Sequence, residues 1–236
     1  MPTRNSEMPS HEWSYSSLLK YEKCPFTRAL RLQGAEAGEA GEAARKGKDI
    51  HAAIEEALLA NDPSAVKMKH PRHEEIIYAL CDHADKQIEA EWRVDADWMP
   101  IDPGTDSWGL AFADAVAFYR SDETSSVWII DWKTGKRRGN ELKHTGQMQC
   151  YAAFCAALNP EIDVFKVQLC YLNEKRDATI VWNRQNAAFF QSRFTKRVER
   201  MLNDTQLRPR PNRTNCRWCE YGSVNGSGVC PYAVGE

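Results

Sequence analysis

Apolar residues recur along the chain at two periods, and the change between them divides it. Over residues 48–60, Ile50, Ile54, Ala57 and Leu58 form a stripe at helical spacing, with His51 and Glu55 one turn apart on one face. A second stripe of Ile76, Ile77, Leu80, Ala84 and Ile88 predicts a helix over 73–92. Residues 95–107, with Pro100, Pro103 and Gly104, read as a loop or irregular edge strand. The period then shortens to two over 109–119. Ala111, Ala113, Ala115 and Ala117 share one strand face, and Phe112, Asp114, Val116 and Phe118 share the other. A turn at Ser121-Asp122-Glu123 returns the chain antiparallel into 127–133, whose β-branched and aromatic start predicts a strand buried on both faces.

Beyond it the pattern predicts a helix over 147–158 with Gln147 and Tyr151 one turn apart, then a hairpin of strands at 164–172 and 178–182. A long helix over 185–202 interleaves Phe189, Phe190, Phe194 and Val198 with Arg193, Lys196, Arg197 and Arg200. At the other end, Ser14 or Ser16 can cap a short helix bearing Leu18, Leu19 and Tyr21, which Cys24-Pro25 terminates. A further helical turn runs through Phe26, Ala29, Leu30 and Leu32. Residues 34–44, rich in Gly, Ala and Glu, are too polar to bury and read as a flexible loop.

The 236 residues are 42% hydrophobic, enough for a real core. No uncharged apolar window long enough to span a bilayer occurs, and the first residues lack the apolar run of a signal peptide, so a cytoplasmic protein without a membrane partner is expected. The net charge of −2 hides segregation: between Arg184 and Arg217 nine Arg and Lys face only Glu199 and Asp204. Such an excess can attract a polyanion, although a solvated helix face would look the same.

Asp114 sits alone on an apolar strand face, which is costly unless it is paired or binds a cation. Asp131 and Lys133 alternate to the same side of the next strand, so the two acids can approach each other. Two carboxylates and a lysine suit metal-dependent phosphodiester cleavage. They also suit a plain ion pair, just as His51 suits a helix surface and Gln147 with Tyr151 a helix-face hydrogen bond. Glu91 reads as an extra ligand or a helix-end charge. Cys81, Cys150, Cys155 and Cys170 fall in apolar segments, as small core residues do. Cys24, Cys216, Cys219 and Cys230 stand beside turn residues, and four soft thiolates suit Zn²⁺ or an iron–sulfur cluster.

In order, Trp13-Ser-Tyr-Ser-Ser-Leu, Tyr21, Cys24-Pro25, Gly47-x3-His51, Asp114, Ile130-Asp131-Trp132-Lys133-Thr134-Gly135-Lys136 and Gln147-x3-Tyr151 resemble the RecB-like branch of the PD-(D/E)xK nuclease superfamily. With the four turn cysteines, the chain is similar to that branch's iron–sulfur exonucleases, the CRISPR-associated enzymes and their phage relatives, across residues 13–232. Two departures are Ala111 where the family has a glycine three residues before the first acid, and a ten-residue gap between Cys219 and Cys230. The resemblance implies a restriction-endonuclease-like α/β core, a small mixed central sheet flanked by helices. In it, N- and C-terminal segments are joined by a four-cysteine cluster: 1–33 and 205–236 the clasp, 45–204 the nuclease core. It implies Mg²⁺ or Mn²⁺ held by His51, Asp114, Asp131 and the Trp132 carbonyl, Asp114, Asp131 and Lys133 as catalytic residues, and Gln147 and Tyr151 contacting DNA or positioning Lys133. It makes Cys24, Cys216, Cys219 and Cys230 ligands of a [4Fe-4S] cluster, with structural Zn²⁺ as the alternative. The expected activity is exonucleolytic cleavage of single-stranded DNA ends, 5′ to 3′. The expected assembly is a homo-oligomer or a complex with a recombination or CRISPR partner. The alternative is a non-catalytic DNA-binding or adaptor protein that keeps the fold and the cluster.

Overall fold

Strands β1 (Lys86–Val94), β2 (Gly109–Tyr119), β3 (Ser126–Lys133), β4 (Val164–Tyr171) and β5 (Ala178–Asn183) form one sheet in the order β1-β2-β3-β4-β5. The structure, a computed structural model, describes residues 11–39 and 41–235. The first residues, where no signal peptide is expected, and Ala40 of the Gly-Ala-Glu run lie outside them. Neighbouring strands are antiparallel except β3 and β4, which are parallel. A parallel pair needs a crossover, and helix α5 (Glu141–Leu158) supplies it.

Alternation along β3 sorts its side chains. Ile130 and Trp132 join Ala115, Ala117 and Cys170 in a core with Ile54 and Leu58 of α3 (Glu42–Leu59) and Ile76, Ile77 and Leu80 of α4 (Pro71–Asp82). Burying an aliphatic side chain such as Ile130 there contributes roughly 1.5–3 kcal/mol. Asp131 and Lys133 therefore face the other way, toward α5, which packs on β1, β2 and β4.

The helix expected over 73–92 is a helix and a strand. α4 stops at Asp82, its cap residue His83 is extended, and Lys86 Nζ takes the Cys81 and His83 carbonyl oxygens at 3.0 and 3.1 Å. Past that cap Ala90, Trp92 and Val94 are buried at every second position, so β1 wins. The helical phase of Ala84 and Ile88 is a coincidence of spacing. α3 and α5 each begin six residues ahead of their expected starts, because their first turns are polar and add nothing to the apolar stripe. The expected hairpins and the helix α6 (Arg184–Leu202) are present.

The chain divides into two compact units, Lys46–Phe194 and the remainder. The second unit holds α1 (Tyr15–Lys23), α2 (Phe26–Leu32), the end of α6, and the short α7 (Arg213–Arg217). Ser14 caps α1 through a reciprocal box with Ser17: the Ser17 N–H donates to Ser14 Oγ and the Ser14 N–H to Ser17 Oγ, so two otherwise unpaired donors are satisfied. Arg197 on α6 grips Glu22 with two hydrogen bonds of 2.7 and 2.8 Å, and the Tyr21 hydroxyl donates to Asp204 at 2.9 Å. Within this unit Gly38 of the Gly-Ala-Glu run is pinned, donating to the Glu220 carbonyl at 2.7 Å. Among the described residues no helix is long and apolar enough to cross a membrane.

Candidate active site

The β2–β3 ladder runs from Tyr119–Ser126 to Ala115–Ile130, and the next step in register sets Asp114 beside Asp131. There a side chain replaces the backbone ladder: the Trp132 N–H donates to Asp114 Oδ2 at 2.7 Å. The other oxygen, Oδ1, lies 3.5 Å from His51 Nδ1 on α3. Burial disfavours the His51 imidazolium, but the hydrogen bond and charge of Asp114, with Asp131 behind it, outweigh this and hold its pKa above the ordinary value.

Asp131 is only 3% exposed. Tyr151 donates to its Oδ1 at 2.5 Å and Gln147 at 3.2 Å, and Gln147 also donates to the Tyr151 hydroxyl at 2.8 Å. Oδ2 lies 2.5 Å from Lys133 Nζ, a buried ion pair. Burial pushes the Asp131 carboxyl up; the Lys133 ammonium opposes this and the Asp114 charge adds to it. Burial and the same two carboxylates push the Tyr151 phenol well up, so it stays a donor. Residues drawn from α3, β2, β3 and α5 thus meet at one point: His51, Asp114, Asp131, Lys133, Gln147 and Tyr151.

A cleft of about 370 Å³ opens beside them, lined by His51, Trp132, Lys133 and Gln147 and by the loop that follows β3. Gly47 explains one motif position. A Cβ there would stand 2.9 Å from Thr134 Oγ1, so the glycine lets α3 come close to the end of β3, one turn before His51.

Three residues at this site escape the sequence reading. Glu89 has a left-handed φ of 50° and stands between the Ile88–Ala115 and Ala90–Ala113 pairs, hence opposite Asp114. Such a conformation costs a non-glycine residue on the order of 1–3 kcal/mol. Nothing in the sequence marks it. His144 and Tyr171 join through a 2.6 Å hydrogen bond at the cleft. His144 was open to notice, since His144, Gln147 and Tyr151 share one helical stripe, whereas Tyr171 reaches Lys133 only through the parallel register. Glu91 lies on β1, paired with Arg93 at 2.5 Å, and is no helix-end charge.

The turn cysteines lie in the other unit. Cys24 Sγ accepts from the Arg210 N–H at 3.3 Å, and Cys216 lies in α7, its carbonyl accepting from the Trp218 cap N–H. The Cys219 thiol is pushed up by burial, with the Cys230, Glu220 and Cys24 charges adding to it and the Tyr221 N–H opposing. Two glycines fold the loop between Cys219 and Cys230: a Cβ at Gly222 would strike the Cys216 carbonyl, and one at Gly226 the Cys219 carbonyl. Among the described residues, no three His, Cys, Asp or Glu side chains stand in a ready metal-holding group, here or at the acids.

The basic stretch over 184–217 is less available than its count implies. Arg184 caps the Ala156, Asn159 and Ile162 carbonyls, Arg197 is paired with Glu22, and Arg210 donates to the Glu22 carbonyl.

The family model of the PD-(D/E)XK nuclease superfamily matches residues 12–224, which include every side chain of the acid–lysine site. The chain belongs to the PD-(D/E)XK nuclease superfamily. Its five-strand mixed sheet flanked by helices is consistent with the restriction-endonuclease-like fold, and superfamily membership makes it a nuclease acting on DNA, in a superfamily that usually uses Mg²⁺ or Mn²⁺. No curated protein matches the chain. Among solved structures, the crystal structure of SSO0001 is similar at 17% identity, covering 95% of this chain and 88% of that one with a TM-score of 0.47.

Proposed function

We propose that this superfamily member is a RecB-like, metal-dependent exonuclease that cuts single-stranded DNA ends, 5′ to 3′, and carries a [4Fe-4S] cluster. The observation that carries the catalytic part is the holding of Asp131. Tyr151 and Gln147 fix one of its oxygens, and the other, buried, is paired with the Lys133 ammonium at 2.5 Å. A buried carboxylate oxygen beside a second carboxylate fits a hard cation, which His51, Asp114, Asp131 and the Trp132 carbonyl would hold. When bound, the cation supplies Lewis acidity toward the scissile phosphate and the attacking water.

The protein's own groups do the rest. In the reaction a water oxygen bonds to phosphorus and the bond from phosphorus to the departing sugar oxygen breaks. Lys133 lies where it can orient that water and offset the charge gathering on the phosphate. Lys136 and Lys143, which line the cleft beside it, would hold the flanking phosphates. Exposed Phe189 and Trp218 offer faces on which bases could stack.

Cys24, Cys216, Cys219 and Cys230 are soft thiolate donors, the type that holds an iron–sulfur cluster, and all four lie in the same compact unit. The N- and C-terminal segments then form a clasp, with 45–204 as the nuclease core. A homo-oligomer or a complex with a recombination or CRISPR partner belongs to the same family likeness, and a cytoplasmic setting to the sequence's lack of an apolar span or leader.

The test is incubation of the protein with single-stranded and duplex DNA, labelled at either end, in Mg²⁺ or Mn²⁺. Mononucleotides or short products released from the 5′ end of single strands are expected. Internal cuts alone would defeat the exonuclease reading, and release from the 3′ end would defeat the polarity.

A further inference from the structure

His144 is not needed to hold Asp131, yet it is built into the same cleft. It lies on α5 one turn before Gln147, is 8% exposed, and lines the cleft with Lys133, Lys136, Asn140 and Lys143. Its Nδ1 is taken up by the Tyr171 hydroxyl at 2.6 Å. Tyr171 is the residue of β4 in register with Lys133 on β3, so the phenol is fixed by the sheet itself. We propose that His144 touches the substrate, donating from Nε2 to a non-bridging phosphate oxygen of the DNA strand in the cleft, with Tyr171 as the positioning residue that sets its tautomer. This rests on the nuclease reading above.

The proton inventory supports it. Burial pushes the Tyr171 phenol up to about 12, with Glu174 and Asp131 adding to this and Arg137 opposing, so the hydroxyl keeps its hydrogen and can donate. A neutral imidazole that accepts at Nδ1 carries its one hydrogen at Nε2. The groups facing the ring are Lys133 from β3, Tyr171 from β4, and Lys143 and Glu141 from its own helix. Burial and the two lysines hold His144 down at about 4, with Glu141 opposing, so the ring stays neutral through the physiological range. The cleft already has ammonium groups for charge. What His144 adds is a directional donor that does not compete with them, as a neutral imidazole does when it polarises a substrate oxygen.

Three variants and one spectrum test this. His144→Ala should lower single-strand cleavage in Mn²⁺ by about 100-fold, the cost of one well-placed donor. His144→Gln, which keeps an N–H donor, should recover most of that loss. Tyr171→Phe should give an intermediate loss and, in spectra of ¹⁵N-histidine-labelled full-length protein, should move His144 out of the Nε2–H form. Adding short oligothymidylate to the wild type with chelator present should shift the His144 Nε2 signal. Full activity of a folded His144→Ala protein, or a His144 resonance in the Nδ1–H form, would overturn the proposal. Failure of the nuclease reading looks different: the wild type itself then cuts nothing in any divalent metal.

Discussion

The acid–lysine site and the cysteine-bearing loops are built on opposite plans. In the first, each functional side chain hangs from a regular element and is tied to another: Asp114 to the Trp132 N–H, Asp131 to Tyr151, Gln147 to Tyr151. Strand register and one crossover helix set its geometry before anything binds. In the second, Cys216 sits in a five-residue helix and Cys219 and Cys230 flank a loop that turns on Gly222 and Gly226. These cysteines stand on short turns rather than on long regular elements. A site of the first kind is preorganised and should survive loss of its ligand. A site of the second kind gains much of its order from what it binds.

The largest expected effect therefore lies with the cysteines. Protein purified without oxygen should be brown, absorbing at about 400 nm as iron–sulfur proteins do. Cys219→Ser should bleach it and lower the melting temperature by ten degrees or more, roughly 3 kcal/mol or above in a chain of this length. A colourless, zinc-containing protein would sink the iron–sulfur assignment.

Next come the residues that hold Asp131. Tyr151→Phe and Gln147→Ala should each cut activity by about 10- to 100-fold, the usual cost of losing a group that orients a metal ligand. Circular dichroism should stay native. Loss of fold in Gln147→Ala, whose side chain is not fully buried, would contradict the view that the sheet and α5 set this site.

A smaller effect concerns acid. The folded-state pKa of His144 lies below its unfolded value, at about 4 against 6.5. Its neutral burial thus stabilises the protein fully above about pH 6.5, and that contribution fades as pH falls through the window down to about 4. It should amount to on the order of 1–3 kcal/mol. Urea denaturation of wild type and His144→Gln at pH 7.5 and 4.5 should show the variant losing less stability on acidification. An equal loss in both would remove His144 from the account.

The smallest concerns Gly47. Ala favours a helix by up to about 1 kcal/mol over Gly. Its Cβ would nevertheless crowd Thr134 Oγ1, so Gly47→Ala should leave the melting temperature nearly unchanged and lower cleavage only a few-fold. Unchanged activity would mean the close approach of α3 has no bearing on the site.

What the sequence discloses follows the same division. The alternation over β2 and β3 exposed Asp114, Asp131 and Lys133 because a strand with one acid on an apolar face is conspicuous by its cost. The spacing of Gln147 and Tyr151 showed their shared helix face. The β1 strand stayed hidden because Ala84 and Ile88 extend the phase of α4 by chance, and the break depends on Lys86 capping the helix. Glu89 and Tyr171 matter through strand pairing with distant residues, which no local pattern carries. The positive count over 184–217 misled in the other direction, because three of its arginines are occupied by carbonyls and a glutamate.

The measurement that bears most directly on the acid–lysine site is cleavage of end-labelled single-stranded DNA in Mn²⁺ by wild type and Lys133→Ala, compared at equal folding by circular dichroism. Wild type should degrade the strand, and Lys133→Ala should be slower by about a thousand-fold or more. Equal cleavage by both would contradict the role of Lys133. Binding without cleavage by the wild type would make the chain a DNA-binding protein that keeps the fold.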